Sequence, residues 1–130
     1  MTDDDFESAL RQMPNGLHDA KLLSLKVDLE RAELNLEVDA CWGGSEFEDP
    51  EERRRARVRL FALRALIIER IASADEAELA PEMIDGEQGT PPKLAPLGRG
   101  EDEFEFWVFL SRSNSFIRGV AKRCEVETSQ

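Results

Sequence analysis

The chain has 130 residues, with 17 lysines and arginines against 28 aspartates and glutamates, a formal charge of −11 at neutral pH. An apolar content of 41% can support a core, so a wholly disordered chain is excluded, and the length fits one domain over 1–130. A charge of −11 repels phosphate backbones, so nucleic acid is not an expected partner, and no apolar run is long enough to span a membrane as a helix.

The N-terminus predicts a short helix over 2–13. Thr2 can cap it, and Asp3, Asp4 and Asp5 sit in its first turn, where the helix dipole favours negative charge. Phe6, Leu10 and Met13 recur at helical spacing on one face, and Pro14, Asn15 and Gly16 end the pattern. Two alternating stretches follow. In the first, Leu23, Leu25, Val27 and Leu29 interleave with Ser24, Lys26 and Asp28. In the second, Leu34, Leu36, Val38 and Ala40 interleave with Asn35, Glu37 and Asp39. Period two over that length means half-buried strands, and the short link at 30–32 makes them an antiparallel hairpin with one aliphatic and one charged face. Trp42-Gly43-Gly44 closes the second strand, and an acidic loop runs from 43 to 52.

Residues 53–72 read two ways. Ala56, Val58, Leu60 and Ala62 alternate with arginines as a strand would, whereas Leu60, Leu63, Ile67 and Ile71 have helical spacing. The expectation is a strand at 55–63 followed by a helical turn or short helix, so that a second helix would fall near 64–75; one long helix is the alternative. Prolines and glycines break the chain from 81 to 100, which predicts a mobile loop over 86–102, with a short strand available at Glu82–Asp85. Phe104, Phe106, Val108 and Leu110 form one face of the next strand, while Trp107 and Phe109 lie on the other. A strand apolar on both faces must be covered on both. Phe116–Glu127 reads as the last strand, with weak alternation. The fold class is therefore α+β, predominantly an antiparallel sheet with an N-terminal helix and a second short one.

The charge pattern suggests how the chain neutralises itself. Seven arginines fall in 53–70 against Glu69 alone, and the next stretch, 73–105, holds ten acids against Lys93 and Arg99. Segments of opposite sign can cancel, which leaves the excess acid for solubility and for a basic protein partner. Cys41 and Cys124 are far apart and lack metal-ligand spacing, so both read as reduced thiols. With no secretory signal at the N-terminus, the expected location is the cytoplasm.

Candidate site residues are few. His18 beside Asp19 could tune an imidazole near neutral pH, but one histidine makes neither a triad nor a metal site. Asp28, Glu37 and Asp39 project from the charged face of the hairpin, where carboxylates could recognise a cation or simply face water. Trp42 beside two glycines could anchor a protein partner. No catalytic residues, metal ligands or cofactors are expected, and the enzyme class, using carboxylates or His18, ranks below a binding module and below a self-assembling protein.

Leu17-His18-Asp19-Ala20, preceded by a short helix and leading into the alternating hairpin, resembles the opening of small bacterial domains of unknown function, some of them similar to immunity proteins of polymorphic toxin systems. The resemblance runs from the N-terminal helix through the hairpin. It implies a non-enzymatic single-domain protein that works by binding, such as an acidic inhibitor of a basic toxin, and carries over no catalytic residues.

Overall fold

The computed structural model describes residues 4–42, 52–69 and 82–128. In chain order it contains helix α1 (Phe6–Leu10) and strands β1 (Ala20–Asp28), β2 (Glu33–Cys41), β3 (Arg53–Phe61), β4 (Ala65–Ile68), β5 (Glu82–Gln88), β6 (Phe104–Leu110), β7 (Ser115–Ala121) and β8 (Arg123–Thr128). All eight strands belong to one antiparallel sheet ordered β4-β7-β6-β5-β1-β2-β3-β8. β3 and β4 are successive parts of one bent segment, as are β7 and β8. Because β3 pairs with β8 and β4 with β7, the pairing runs in a closed ring, so the sheet curls back on itself.

The two bends lie opposite each other. Lys122 N–H donates to Phe61 O and Arg64 N–H to Val120 O, carrying the ladder across the corner. Ala62 turns the first segment with φ +54, a left-handed conformation that non-glycine residues seldom take. At Lys122 the second segment reverses its faces. Ile117 and Ala121 point inward before it, and Cys124 and Val126 after it.

The inner face holds Leu34, Leu36, Val38, Val58, Leu60, Phe106 and Val108, all fully buried. Helix α1 lies against β5 and β8 and inserts Phe6 among them, its ring 5.5 Å from that of Phe106. The helix is shorter than the sequence spacing suggests. Its N-cap is Asp5, whose carboxylate accepts the Ser8 N–H at 2.8 Å; Thr2 lies outside the described residues. Gly119 faces inward beneath Phe106, and a Cβ there would sit 2.5 Å from Ala65 O, so the close approach of β4 to β7 requires glycine.

Three expectations change. Among the described residues no helix follows β3: residues 65–68 form strand β4, paired with β7, and the one-helix alternative for the whole stretch fails with it. The rest of the expected second helix, 70–75, lies outside the described residues. Edge pairing to β7 decides the outcome over the helix propensity of alanine, leucine and arginine. Leu29 does not continue the aliphatic face of the hairpin; it is 88% exposed. A bulge between Leu22 and Ser24 shifts the register, so Ala20 and Leu22 face inward before it, while Leu25 and Val27 pack on the core after it. Gly86–Gln88 belongs to β5 and not to a loop, whereas 89–103 forms an irregular strap over the sheet.

Candidate functional site

The outer surface of β1, β2, β3 and β8 carries the residues that the sequence singles out. Alternation turns Glu33, Asn35, Glu37 and Asp39 of β2 outward, and the antiparallel register sets Asn35 opposite Arg59, Glu37 opposite Arg57 and Asp39 opposite Arg55. On the other side of β3, Arg57 faces Glu127 and Arg59 faces Glu125. The result is a ladder of alternating sign. Arg57 Nη2 lies 3.3 Å from Glu37 Oε1, and Arg59 reaches Glu33 and Glu127 at 3.6 Å each while donating from Nε to Asn35 Oδ1. Arg59 and Arg123 both stack on Phe61. Within the arginine run, Arg57 and Arg59 are thus neutralised by β2 and β8, and Arg54 by Glu52. Among the described residues, the acids of 73–105 supply only Glu103, against Arg64.

The predicted residues fall into three groups. Asp28 and Glu37 line one shallow groove with Lys26, Arg31, Arg57 and Arg59, and Asp28 Oδ1 also accepts the Arg31 N–H in the hairpin turn. His18 and Asp19 stand at the start of β1. The His18 ring nitrogens lie 3.5 Å from Asp19 and 3.5 Å from Asp85, all three side chains largely open to water. Arg53 Nη1 donates to the main-chain carbonyls of both Asp19 and Asp39, which ties the second group to the end of the ladder. Trp42 is apart from these. It is half-buried against the core, under the Arg54 guanidinium at 4.9 Å, and its N–H donates to Glu52 O.

Sequence reading missed the ionic groups beneath the strap. Glu105 and Arg118, on the outer face of β6 and β7, are both buried and meet at 3.0 Å. Glu105 also accepts the Leu97 N–H, and Arg118 donates to Ala95 O at 2.6 Å. Arg118 Nε is buried with no partner, the one such side-chain atom among the described residues. A second pair lies alongside. Arg64 Nε contacts both carboxylate oxygens of Glu103, which also accepts the Gly100 N–H. That hydrogen bond from Arg64, then the one from Gly100, holds the Glu103 carboxyl below the ordinary glutamate range despite burial. The signal for Glu105 was present: it shares parity with Trp107 and Phe109 in a strand that is covered on both faces, where a carboxylate needs a partner.

Between α1, the end of β5 and the strap opens a cleft of about 620 Å³ rich in carboxylates, including Asp5, Glu7, Asp102 and Glu103. These are engaged within the fold: Asp5 by Ser8 and Gln88, Glu7 by Arg11, Asp102 by Lys122, Glu103 by Arg64. Burial pushes the Asp5 carboxyl up, but hydrogen bonds from Ser8 and Gln88 and the Arg11 charge bring it below its usual value. Cys124, on the inner face, has its thiol pushed up to about 12, first by burial and then by Glu125 and Asp5. A thiol so held is protonated at neutral pH and is not a nucleophile. Among the described residues no three histidine, cysteine or acidic side chains converge on a metal-sized volume, and no helix is long and apolar enough to cross a membrane. The chain matches no family model, no curated protein and no solved structure.

Proposed function

We propose that the protein is a non-catalytic binding module for a basic protein, with inhibition of a basic toxin as its most specific form. The observation that carries this reading is the neutralised ladder. The seven-arginine run is the one basic stretch of the sequence; of its ladder arginines, Arg57 pairs with Glu37 and stands opposite Glu127, Arg59 lies between Glu33 and Glu127, and Arg55 stands opposite Asp39. Among the described residues Arg54, Arg57, Arg59 and Arg64 of the run each reach a carboxylate, and the sequence as a whole carries a charge of −11. Such a field accelerates encounter with a cationic surface. The closed sheet supports the same reading, because its interior is filled by side chains.

The same ladder redirects the choice of contact residues. Glu37 is engaged by Arg57, and Asp39 stands opposite Arg55. The sequence 46–52 instead holds Glu46, Glu48, Asp49, Glu51 and Glu52 with no cation, and all but Glu52 lie outside the described residues. The test is capture from nuclease-treated lysate of the source cells, elution with stepped salt, and titration of the purified partner. A basic protein whose affinity falls as salt rises is expected, with reversal of the five charges in 46–52 weakening it by roughly tenfold or more. Reversal of Asp28, Glu37 and Asp39 should do less. An affinity indifferent to salt and to reversal at all eight positions overturns the proposal.

A further inference from the structure

The strap is held to the sheet by charge. Of residues 90–102, Pro91 alone is buried and Thr90 and Leu97 are half-buried, so few apolar contacts fasten it. Among the described residues, each hydrogen bond or ion pair that ties 90–102 to the sheet and its corners uses a charged side chain of the sheet or corner. Arg118 donates to Ala95 O at 2.6 Å and Arg64 to Gly98 O at 2.7 Å. Glu105 accepts the Leu97 N–H at 3.0 Å, and Lys122 meets Asp102 at 3.3 Å. The strap also forms one wall of the carboxylate-rich cleft, through Pro96, Gly98, Arg99 and Glu101.

We infer that residues 90–102 lift off the sheet as one unit while the strands stay folded, with Arg64, Arg118, Glu105 and Lys122 as the latch that holds them down. The ion pairs beneath do not have to break. Glu105 and Arg118 belong to β6 and β7, and Glu103 and Arg64 immediately precede β6 and β4, so both pairs survive when the strap lifts. What is exchanged for water is the Lys122–Asp102 pair and the bonds to strap main-chain atoms. Two costs of the latched form are relieved in return. The Arg118–Glu105 pair is rehydrated, and Arg118 Nε, buried with no partner, gains one. The start of the strap is built to turn. Gly89 sits at φ +112 with its N–H on Glu105 O, and no atom lies within 4 Å of a Cβ built there. Lifting the strap removes one wall of the cleft, so access to the cleft follows the latch. The motion does not depend on a basic partner.

Hydrogen exchange of the full chain, read amide by amide by NMR across a series of sub-denaturing urea concentrations, tests this. The reporters are the Leu97 and Gly100 N–H groups, bonded to Glu105 and Glu103, against the amides of β2, a strand paired on both sides. Leu97 and Gly100 are expected to be protected relative to free peptide and to share one opening equilibrium. They should exchange faster than the slowest β2 amides by roughly tenfold or more, and respond weakly to urea, because lifting the strap exposes little surface. Leu36→Ala, in the fully buried core, should speed β2 exchange by about tenfold or more and leave Leu97 and Gly100 unchanged, since it weakens the latched and the lifted forms alike. Arg64→Met should speed Leu97 and Gly100 by roughly tenfold, through loss of the charged donor to Gly98 O. If Leu36→Ala does not fold, the urea dependence of the wild-type protein decides alone. Leu97 and Gly100 exchanging without protection, with unequal openings, or only together with β2 overturns the inference. So does an Arg64→Met protein in which their exchange is unchanged.

Discussion

Two regions of this molecule join arginine to carboxylate, and they do so at opposite extremes of solvent exposure. On the β2–β3–β8 ladder the Arg57 and Glu37 side chains retain 50% and 43% of their exposure. Beneath the strap the Arg118 and Glu105 side chains retain 9% and 6%. In water each ladder pair gains little, because solvent already stabilises both charges. Under the strap the desolvation of two ions must be offset by their mutual attraction and by every remaining hydrogen bond. Ala95 O and Leu97 N–H supply some of those bonds, and Arg118 Nε goes without. The ladder therefore sets surface charge, while the buried pair fixes where the strap lies.

The largest expected effect follows from breaking the buried pair. Arg118→Ala leaves the Glu105 carboxylate dehydrated without its cation and should lower unfolding free energy by roughly 3–5 kcal/mol. Replacing both partners, as Arg118→Met with Glu105→Leu, should recover most of that loss. It will not recover all, because the Leu97 N–H and Ala95 O remain to be satisfied. Urea unfolding of the three proteins measures both quantities. If Arg118→Ala costs less than about 1 kcal/mol, the pair behaves as a ladder pair and the contrast between the two regions disappears.

What the sequence revealed follows the same division. β2 and β3 alternate without interruption, so their inner residues, Leu34 to Ala40 and Ala56 to Leu60, were legible from period two. The last strand was obscure for a physical reason. The corner at Lys122 exchanges the faces of β7 and β8, so neither parity set is apolar throughout. The bulge near Leu23 does the same within β1, whereas Leu29, which shares the parity of Leu25 and Val27, is exposed because the strand ends at Asp28. β4 could not be told from a helix because four residues carry too little period and its strand state depends on β7, fifty residues away in the chain. Of the candidate site, the outward placing of Asp28, Glu37 and Asp39 was legible, but their arginine partners depended on strand register. The strap pairs join residues 39 and 13 positions apart, which no local pattern encodes.

A second measurement sharpens the contrast through pH. Glu103 is held below the ordinary value of about 4.5 by Arg64 and Gly100, so the folded state binds its proton less readily than the unfolded one. Its contribution is then complete above about pH 4.5 and is lost as pH falls through the lower folded value. Wild-type unfolding midpoints should drop between about pH 5 and pH 3, and Glu103→Gln should flatten that drop while lowering the midpoint at pH 7. Asp5, also held low, contributes with the same sign, so a residual slope is expected. An unchanged slope in Glu103→Gln would mean that the carboxylate does not bind the strap through its charge.

The smallest effect lies on the ladder itself. A double-mutant cycle with Arg57→Ala and Glu37→Ala should return a coupling of about 0.2–1 kcal/mol, shrinking with added salt. Both side chains are half open to water, and Arg57 also stands opposite Glu127, so losing one neighbour leaves another. The value matters through its contrast with the buried pair, since the two use the same chemical groups. A coupling of several kcal/mol would mean that the ladder is shielded from water in solution, as it would be under a bound partner, and would move the docking of a basic protein from residues 46–52 onto this face.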